Sequence, residues 1–335
     1  MLTIMQRKYF RENKRAAFCI VLFFIQISQS VYAVDEVKDK PKAQTQPDSL
    51  GPFSRMERGI TKGINTLSSD MDSFFSRDEA LVEKSGSRVH LGYSASYAEH
   101  SKPGYDFIFS ANLVLPRTQE KLHFVVFSDE KDTGEVREGS GVVEVGQAED
   151  AVKNQKIGIG LRNLFYTSKT SAITSDAGVK ARIPPEPFFR FMARRSFFWD
   201  QYEFKLIDRQ RWYNSEGWST LLTAELDKIL SPVWLFRFSN NGNLEHDTGL
   251  WQVDDYLALY QKISPRTAMG YSIGITGDDE TTLALQTYFA AVSFRHILIP
   301  DWLFFQMTPK LTWPRLHDWQ EVPGIFFKLE SVFGG

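Results

Sequence analysis

From Ser87 onward, apolar and polar side chains alternate with a period of two along almost the whole remaining chain. Val89, Leu91, Tyr93, Ala95 and Tyr97 alternate with His90, Gly92, Ser94 and Ser96; Tyr105, Phe107, Phe109, Ala111, Leu113 and Leu115 then alternate with Asp106, Ser110 and Asn112. Successive side chains of a strand point to opposite faces, so each run predicts a strand with one greasy and one mostly polar side. Runs of the same kind occupy 121–128, 157–167, 174–183, 188–198, 201–213, 216–228, 232–240, 249–262, 268–276, 281–294, 302–313 and 324–333, for a total of fourteen strands. Twelve stays open as the alternative. Between 168 and 213 the Pro184-Pro185 break is clear, but Trp199-Asp200 is a weak turn signal.

The connections are of two kinds. Pro116-Arg117-Thr118-Gln119, Ser231-Pro232, Ser264-Pro265-Arg266-Thr267 and Ile299-Pro300-Asp301 are short and proline-marked, whereas 129–156 is long, glycine-bearing and acidic. Short turns on one rim and longer loops on the other are the pattern of a transmembrane antiparallel up-and-down β-barrel, here of 12 to 14 strands, with both termini on the short-turn side. Leu303, Phe305, Met307, Leu311 and Trp313 share one face, and a tilted strand of this length rises roughly 25 Å, the height of an apolar membrane band. Tyr97, Tyr105, Tyr202, Trp302 and Trp313 fall near strand ends, where rings with a polar atom form interfacial girdles. The chain carries 27 Phe, 12 Tyr and 8 Trp, more aromatic volume than the single core of a soluble β-sandwich or propeller would use.

Ahead of the strands, Arg7, Lys8, Arg11, Lys14 and Arg15 precede a nearly pure apolar stretch, Ala16 to Ile27, and the small residues Val31 and Ala33. This is the layout of a secretory signal peptide over 1–33, too short in its apolar part to span a bilayer. Cleavage before Val34 removes those five basic residues and Glu12, taking the formal charge from -2 to -6, which gives no support to nucleic-acid binding. The lone cysteine, Cys19, leaves with the leader, so thiol chemistry and a disulfide framework are excluded. Residues 34–52 are charged and proline-bearing, a flexible tether. Within 53–87, Met56, Ile60, Ile64, Leu67, Met71 and Phe74 follow at steps of three or four, which predicts a short amphipathic helix serving as periplasmic lid or plug, followed by a linker. The barrel proper is expected over 88–335.

The last strand, Gly324-Ile325-Phe326-Phe327-Lys328-Leu329 through Phe333, resembles the C-terminal insertion signal of Gram-negative outer-membrane β-barrel proteins. In that signal a glycine is followed by alternating aromatic or aliphatic residues and the strand closes on a phenylalanine. Gly324, Phe327, Leu329 and Phe333 carry the resemblance here. It implies export, insertion by the barrel-assembly machinery, outer-membrane lipid and lipopolysaccharide as surroundings, and periplasmic termini. It implies no particular activity, solute or oligomeric state.

The most informative polar set lies on the predicted inner face. If Val179, Ala181 and Ile183 face lipid, Lys180 and Arg182 face inward; by the same alternation Arg190, Arg194, Lys205, Arg209 and Arg211 point inside, joined by Arg162, with Glu203 and Glu225 as inward carboxylates. Two readings follow: a stabilising ladder of cross-strand ion pairs, or an anion-attracting pore wall. Arg195 is the exception, aimed outward by this register. The 129–156 loop is acidic, but its carboxylates have no recognised calcium-loop spacing. No His-x-Ser pair occurs, and His246-Asp247, Asp254-Asp255, Asp278-Asp279 and His317-Asp318 are adjacent residues that face opposite sides of a strand. No cofactor, metal-ligand or phosphate-loop motif is present. The expected function is a passive channel or transport-related barrel with a partly basic lumen. The alternatives are a non-conducting structural or envelope-assembly barrel and, third, a barrel hydrolase.

Overall fold

A computed structural model describes residues 87–99, 101–115, 121–128, 157–168, 170–279, 284–300 and 302–334. The predicted leader, tether and helix stripe, and the acidic 129–156 loop, lie outside the described residues. Fourteen strands form a single closed antiparallel barrel in which each strand pairs with its neighbours in sequence and β1 closes on β14. They are β1 (Arg88–Ala98), β2 (Gly104–Val114), β3 (Leu122–Ser128), β4 (Ile157–Thr167), β5 (Ser171–Lys180), β6 (Glu186–Trp199) and β7 (Tyr202–Tyr213). The second half comprises β8 (Gly217–Ser231), β9 (Trp234–Glu245), β10 (Trp251–Ser264), β11 (Thr267–Asp278), β12 (Ala284–Ile299), β13 (Leu303–Pro314) and β14 (Val322–Phe333).

The fourteen-strand alternative is the one realised. The connection that left twelve open is the dipeptide turn Asp200-Gln201, with Asp200 at φ 48°. An aspartate tolerates the left-handed region without the glycine that would have advertised it. The short joins β2 to β3, β8 to β9, β10 to β11 and β12 to β13 fall on the rim where β1 begins and β14 ends, and the join carrying Pro184-Pro185 falls on the other. β1 and β2, β3 and β4, β5 and β6, β7 and β8, β9 and β10, β11 and β12, and β13 and β14 meet at the opposite, upper rim.

The register assigns every strand face. Tyr93 pairs with Phe107 and Leu329, and Leu257 with Ile273, which pairs in turn with Ala290. These residues point outward, and many remain exposed, Tyr93 at 50%, Phe107 at 45% and Ile273 at 58%. Such a contiguous apolar belt has no place in water. Aromatic rings collect near both ends of it. On the terminus side Trp199 stacks with Tyr202 (5.8 Å between centroids) and Trp302 with Phe333 (5.5 Å). Towards the upper rim Phe189 meets Trp218 edge-on, and Tyr288 packs against Trp319.

The opposite face is polar and closely fitted. Several inward glycines make room for a ring from the neighbouring strand: Tyr260 lies 3.1 Å from where a Cβ on Gly270 would stand, and the Phe289 ring 2.5 Å from that of Gly274. Flat rings laid on glycines keep the inner wall continuous where a strand lacks side chains. Leu235, Tyr256, Ala258, Tyr260, Ala268 and Phe289 thereby form an apolar patch inside the barrel on β9–β12. The alternation did not foretell this patch, because Tyr256, Ala258 and Tyr260 interleave with Leu257 and Leu259 and both faces of that segment are greasy.

Candidate functional site

The inner wall of β4 to β7 gathers most of the predicted basic residues. Arg162 pairs in register with Asp176, Asp176 with Arg190, Ala172 with Arg194, Ser196 with Lys205, Met192 with Arg209 and Arg190 with Arg211. Lys180 is registered with Glu186, and Glu203 with Asp227. Arg162, Lys180, Arg190, Arg194, Lys205, Arg209 and Arg211 therefore face Asp176, Glu186 and Glu203 on these strands, an excess of four positive charges. Arg182 is placed differently from its expected position. β5 ends at Lys180, three residues earlier than the alternation suggested, and Arg182 lies in the upper-rim connection, donating to Glu186 (2.8 Å) and to Ser215 (3.2 Å). Pro184-Pro185 follow within the same connection, where the missing N–H keeps them out of any ladder.

The basic wall is braced by carboxylates and by aromatic rings. Asp176 accepts a two-point contact from Arg162 (2.7 and 2.9 Å) and a further bond from Arg190 (2.8 Å). Arg190 also lies over the rings of Phe127 (4.0 Å to centroid) and Phe188 (5.3 Å), and Lys180 over Tyr213 (3.5 Å). Aromatic faces thus pack against cations of this wall in addition to its carboxylates. Asp176, Phe127, Phe188 and Tyr213 were not singled out from the sequence. Alternation with Arg190 puts Phe188 on the inner face and Phe189 outside, and the register agrees.

Around the next strands the pairing tightens. Lys205 reaches Glu225 (3.4 Å), and Arg237, a residue the alternation did not mark, grips Asp227 through two bonds (2.7 and 2.6 Å) with Glu225 3.7 Å away. A third network closes the seam: Arg295 on β12 donates to Gln306 on β13 (2.9 Å) and to Glu330 on β14, which also meets Lys328 (2.8 Å) and His90 of β1 (3.2 Å). Arg295 is fully buried. In a low-dielectric wall such pairs and amides satisfy one another, and removing one member leaves a stranded charge.

The insertion-signal residues Phe327, Leu329 and Phe333 point outward and are exposed, while Gly324 lies on the inner face opposite Lys310 and Ala98. Arg195 points outward, as its register implied, its guanidinium 5.2 Å from the Phe197 ring. His246 sits in an upper-rim connection with its Nε2 2.8 Å from the Thr220 hydroxyl, and His317 is in a short 3-10 turn, Arg315–His317, at the same rim. Among the described residues no group of three or more His, Cys, Asp and Glu side chains is placed to hold a metal ion.

Fourteen strands spaced about 4.8 Å apart and tilted about 40° close a ring of roughly 14 Å backbone radius. An arginine side chain reaches about half of that distance. The chain is thus a closed, up-and-down β-barrel of this breadth, apolar outside and charged on its inner wall.

No protein-family model matches the chain, and no curated protein matches it in sequence. Among solved structures it is similar to Pseudomonas putida OprB at low pH (12% identity over 78% of this chain and 97% of that one, TM-score 0.43). It is also similar to a bacterial polysaccharide outer membrane secretin (10% identity, 74% and 98%, TM-score 0.43). A third is the outer membrane channel DcaP of Acinetobacter baumannii (8% identity, 74% and 96%, TM-score 0.39). At these values the similarities assign neither solute nor role.

Proposed function

We propose that the protein is a passive outer-membrane channel whose lumen favours anions. The observation that carries this reading is the division of the barrel: an exposed apolar belt bounded by aromatic girdles outside, and the basic excess of β4–β7 inside. A belt of that kind is stable only against hydrocarbon, and the closed sheet leaves no unpaired edge within it. Strand length and girdle spacing suit the thin outer membrane. The rim bearing the start of β1 and the end of β14 then faces the periplasm. Insertion by the barrel-assembly machinery, through the outward aromatic residues of β14, and contact with lipopolysaccharide belong to the same proposal.

Positive charge concentrated on one wall of a narrow polar path raises the local concentration of anions and lowers their entry barrier. The experiment is single-channel recording of the purified full chain in planar bilayers, with a salt gradient to read selectivity. Conductance above the bilayer background with an anion-directed reversal potential is expected; conductance at background overturns the channel reading.

A second reading, a non-conducting structural or envelope-assembly barrel, is favoured by the fully buried ion networks around Arg295 and Arg237, which fill part of the interior with side chains. It expects background conductance together with impaired envelope integrity when the protein is removed from cells.

A further inference from the structure

The outer face of the barrel is not uniform. Following the register round all strands, the outward-facing Asp, Glu, Lys and Arg of the described strands are Arg195 on β6, Asp208 on β7, Lys228 on β8 and Asp255 on β10. Lys228 lies near the terminus-side rim, beside the Tyr202 ring at 5.2 Å, where a lysine can reach headgroups. The other three are set further in, and the amides of Gln210 and Asn240 accompany them. Gln210 donates to Asp208 (2.7 Å), Thr220 donates to Gln210 (2.7 Å), and Asn240 donates to Asp255. The outward faces of β11 to β14 and of β1 to β5 carry no charged residue among the described strands. All the outward-facing Asp, Glu, Lys and Arg of the described strands therefore share one arc, β6 to β10, while the outward amide of Asn163 on β4 and the imidazole of His296 on β12 stand singly elsewhere.

An ionisable side chain on the lipid face of a barrel is costly by about 2–4 kcal/mol near the midplane for a cation and less for an acid. Three such residues on one arc, with no outward Asp, Glu, Lys or Arg on the other described strands and with the amides of Gln210 and Asn240 bonded to them, describe a surface that hydrocarbon does not cover. Its chemistry is paired: on β7 the order towards the upper rim is Asp208 then Gln210, an acid below an amide; across β9 and β10 it is Asn240 and Asp255, an amide and an acid. The depths also match. Asp208 stands six positions above Tyr202 and Asn240 six above Trp234, while Gln210 is eight above Tyr202 and Asp255 nine above Ser264. Between them runs β8, whose outward Leu222, Ala224 and Leu226 are apolar and modest in size.

We infer that this arc is the contact with a second copy of the same chain, related by a two-fold axis along the membrane normal that passes beside β8. The inference rests on the membrane-spanning reading given above. Two copies inserted in the same sense can be related only by axes along the normal, which preserve depth. Rotation about an axis at β8 brings β7 of one copy against β9 of the partner, setting Asp208 against Asn240 at one depth and Gln210 near Asp255 at the next. Each carboxylate then receives a second amide donor, so that groups costly in lipid become shared in a protein interface.

The test is cysteine pairing in native outer membranes. With Cys19 replaced by serine, the double variant Asp208→Cys, Asn240→Cys is expected to form a disulfide-linked dimer on mild oxidation, whereas either single variant does not. Within one barrel the two positions are separated by β8, about two strand spacings or roughly 10 Å, too far for a disulfide, so a linked band reports two copies. A photoreactive residue at Leu222 is expected to give an adduct of twice the chain mass. An absent dimer in the double variant, equal linkage in the single variants, or adducts at Leu222 only with lipid, with another protein or within the same chain overturns the inference. The membrane reading is scored separately, by whether each variant sediments with the outer membrane and keeps its strand content.

Discussion

Arg190 on β6 and Arg211 on β7 are register partners on the inner wall, two guanidinium groups side by side on adjacent strands. Directly opposed like charges ordinarily weaken a strand pair. Here Asp176 holds Arg190 from the other side, 2.8 Å away, and the Phe127 ring lies beneath it. Arg190 is thus balanced at this opposed pair by a carboxylate on one side and a ring below. Arg211→Glu should move the reversal potential of the channel towards cations, with Arg209→Glu adding to the shift. Folded-state stability should stay within about 1 kcal/mol of the parent protein, since the new carboxylate faces Arg190 directly. Selectivity unchanged by both substitutions would remove these arginines from any conduction path.

Glu330 is the hub of the seam that closes the barrel, with Arg295, Lys328 and His90 around it. Glu330→Leu should destabilise the barrel by about 3–5 kcal/mol, because it strands the fully buried Arg295. Combining it with Arg295→Met should recover most of that loss, since apolar groups of similar volume can replace a buried ion pair without penalty. Urea unfolding of protein folded into lipid vesicles measures both. Equal destabilisation by the single and double variants would show that the pair is not coupled.

β4 and β5 approach each other through glycine. A Cβ on Gly178 would collide with the carbonyl oxygen of Ile159 and stand 2.5 Å from the Cα of Gly160, backbone atoms that no rotamer change can move aside. Gly178→Ala should therefore cost about 1–3 kcal/mol in the same unfolding assay, whereas an alanine at most strand positions would be tolerated. An unchanged midpoint would mean that the two strands can slide apart freely at this point.

The outer half of this architecture was legible in the sequence. The period of two is a local property, and the short proline-marked turns are local signals too, so the strands, the rim assignment and the outward belt could be read residue by residue. The weak turn at Asp200 was the one doubtful boundary. The inner half was legible only as composition: the alternation placed Lys205 and Arg209 inside, but partnership depends on register between strands, which is not written in any one of them. Asp176 serves two arginines from neighbouring strands, and Arg237 reaches two carboxylates on β8, relations that appear once the cylinder closes. Arg182 was misplaced because the ladder stops at Lys180, before the prolines rather than at them. The polar arc on β6–β10 was visible to sequence reasoning only as the single anomaly Arg195. Asp208 and Asp255 stand in segments rich enough in polar residues that their facing was not a question until the register was known.

Ile273 offers a direct measure of what surrounds the belt. It is 58% exposed at the middle of β11, with Leu257 and Ala290 as its lateral partners on the outer face. In water, replacing so exposed a residue with arginine would change stability by at most about 0.5 kcal/mol, because no packing is lost and the charge is fully hydrated. In hydrocarbon the same substitution must drag a guanidinium into the band or distort the bilayer to hydrate it, at a cost of about 2–4 kcal/mol near the midplane. Ile273→Arg is therefore expected to lower stability by that larger amount in lipid vesicles. The neighbouring Ser272→Arg, whose side chain enters the lumen, should cost less, provided the inner wall has room for it. Near-neutral behaviour of Ile273→Arg would show that the belt is covered by something other than lipid, and the membrane-spanning reading would go with it.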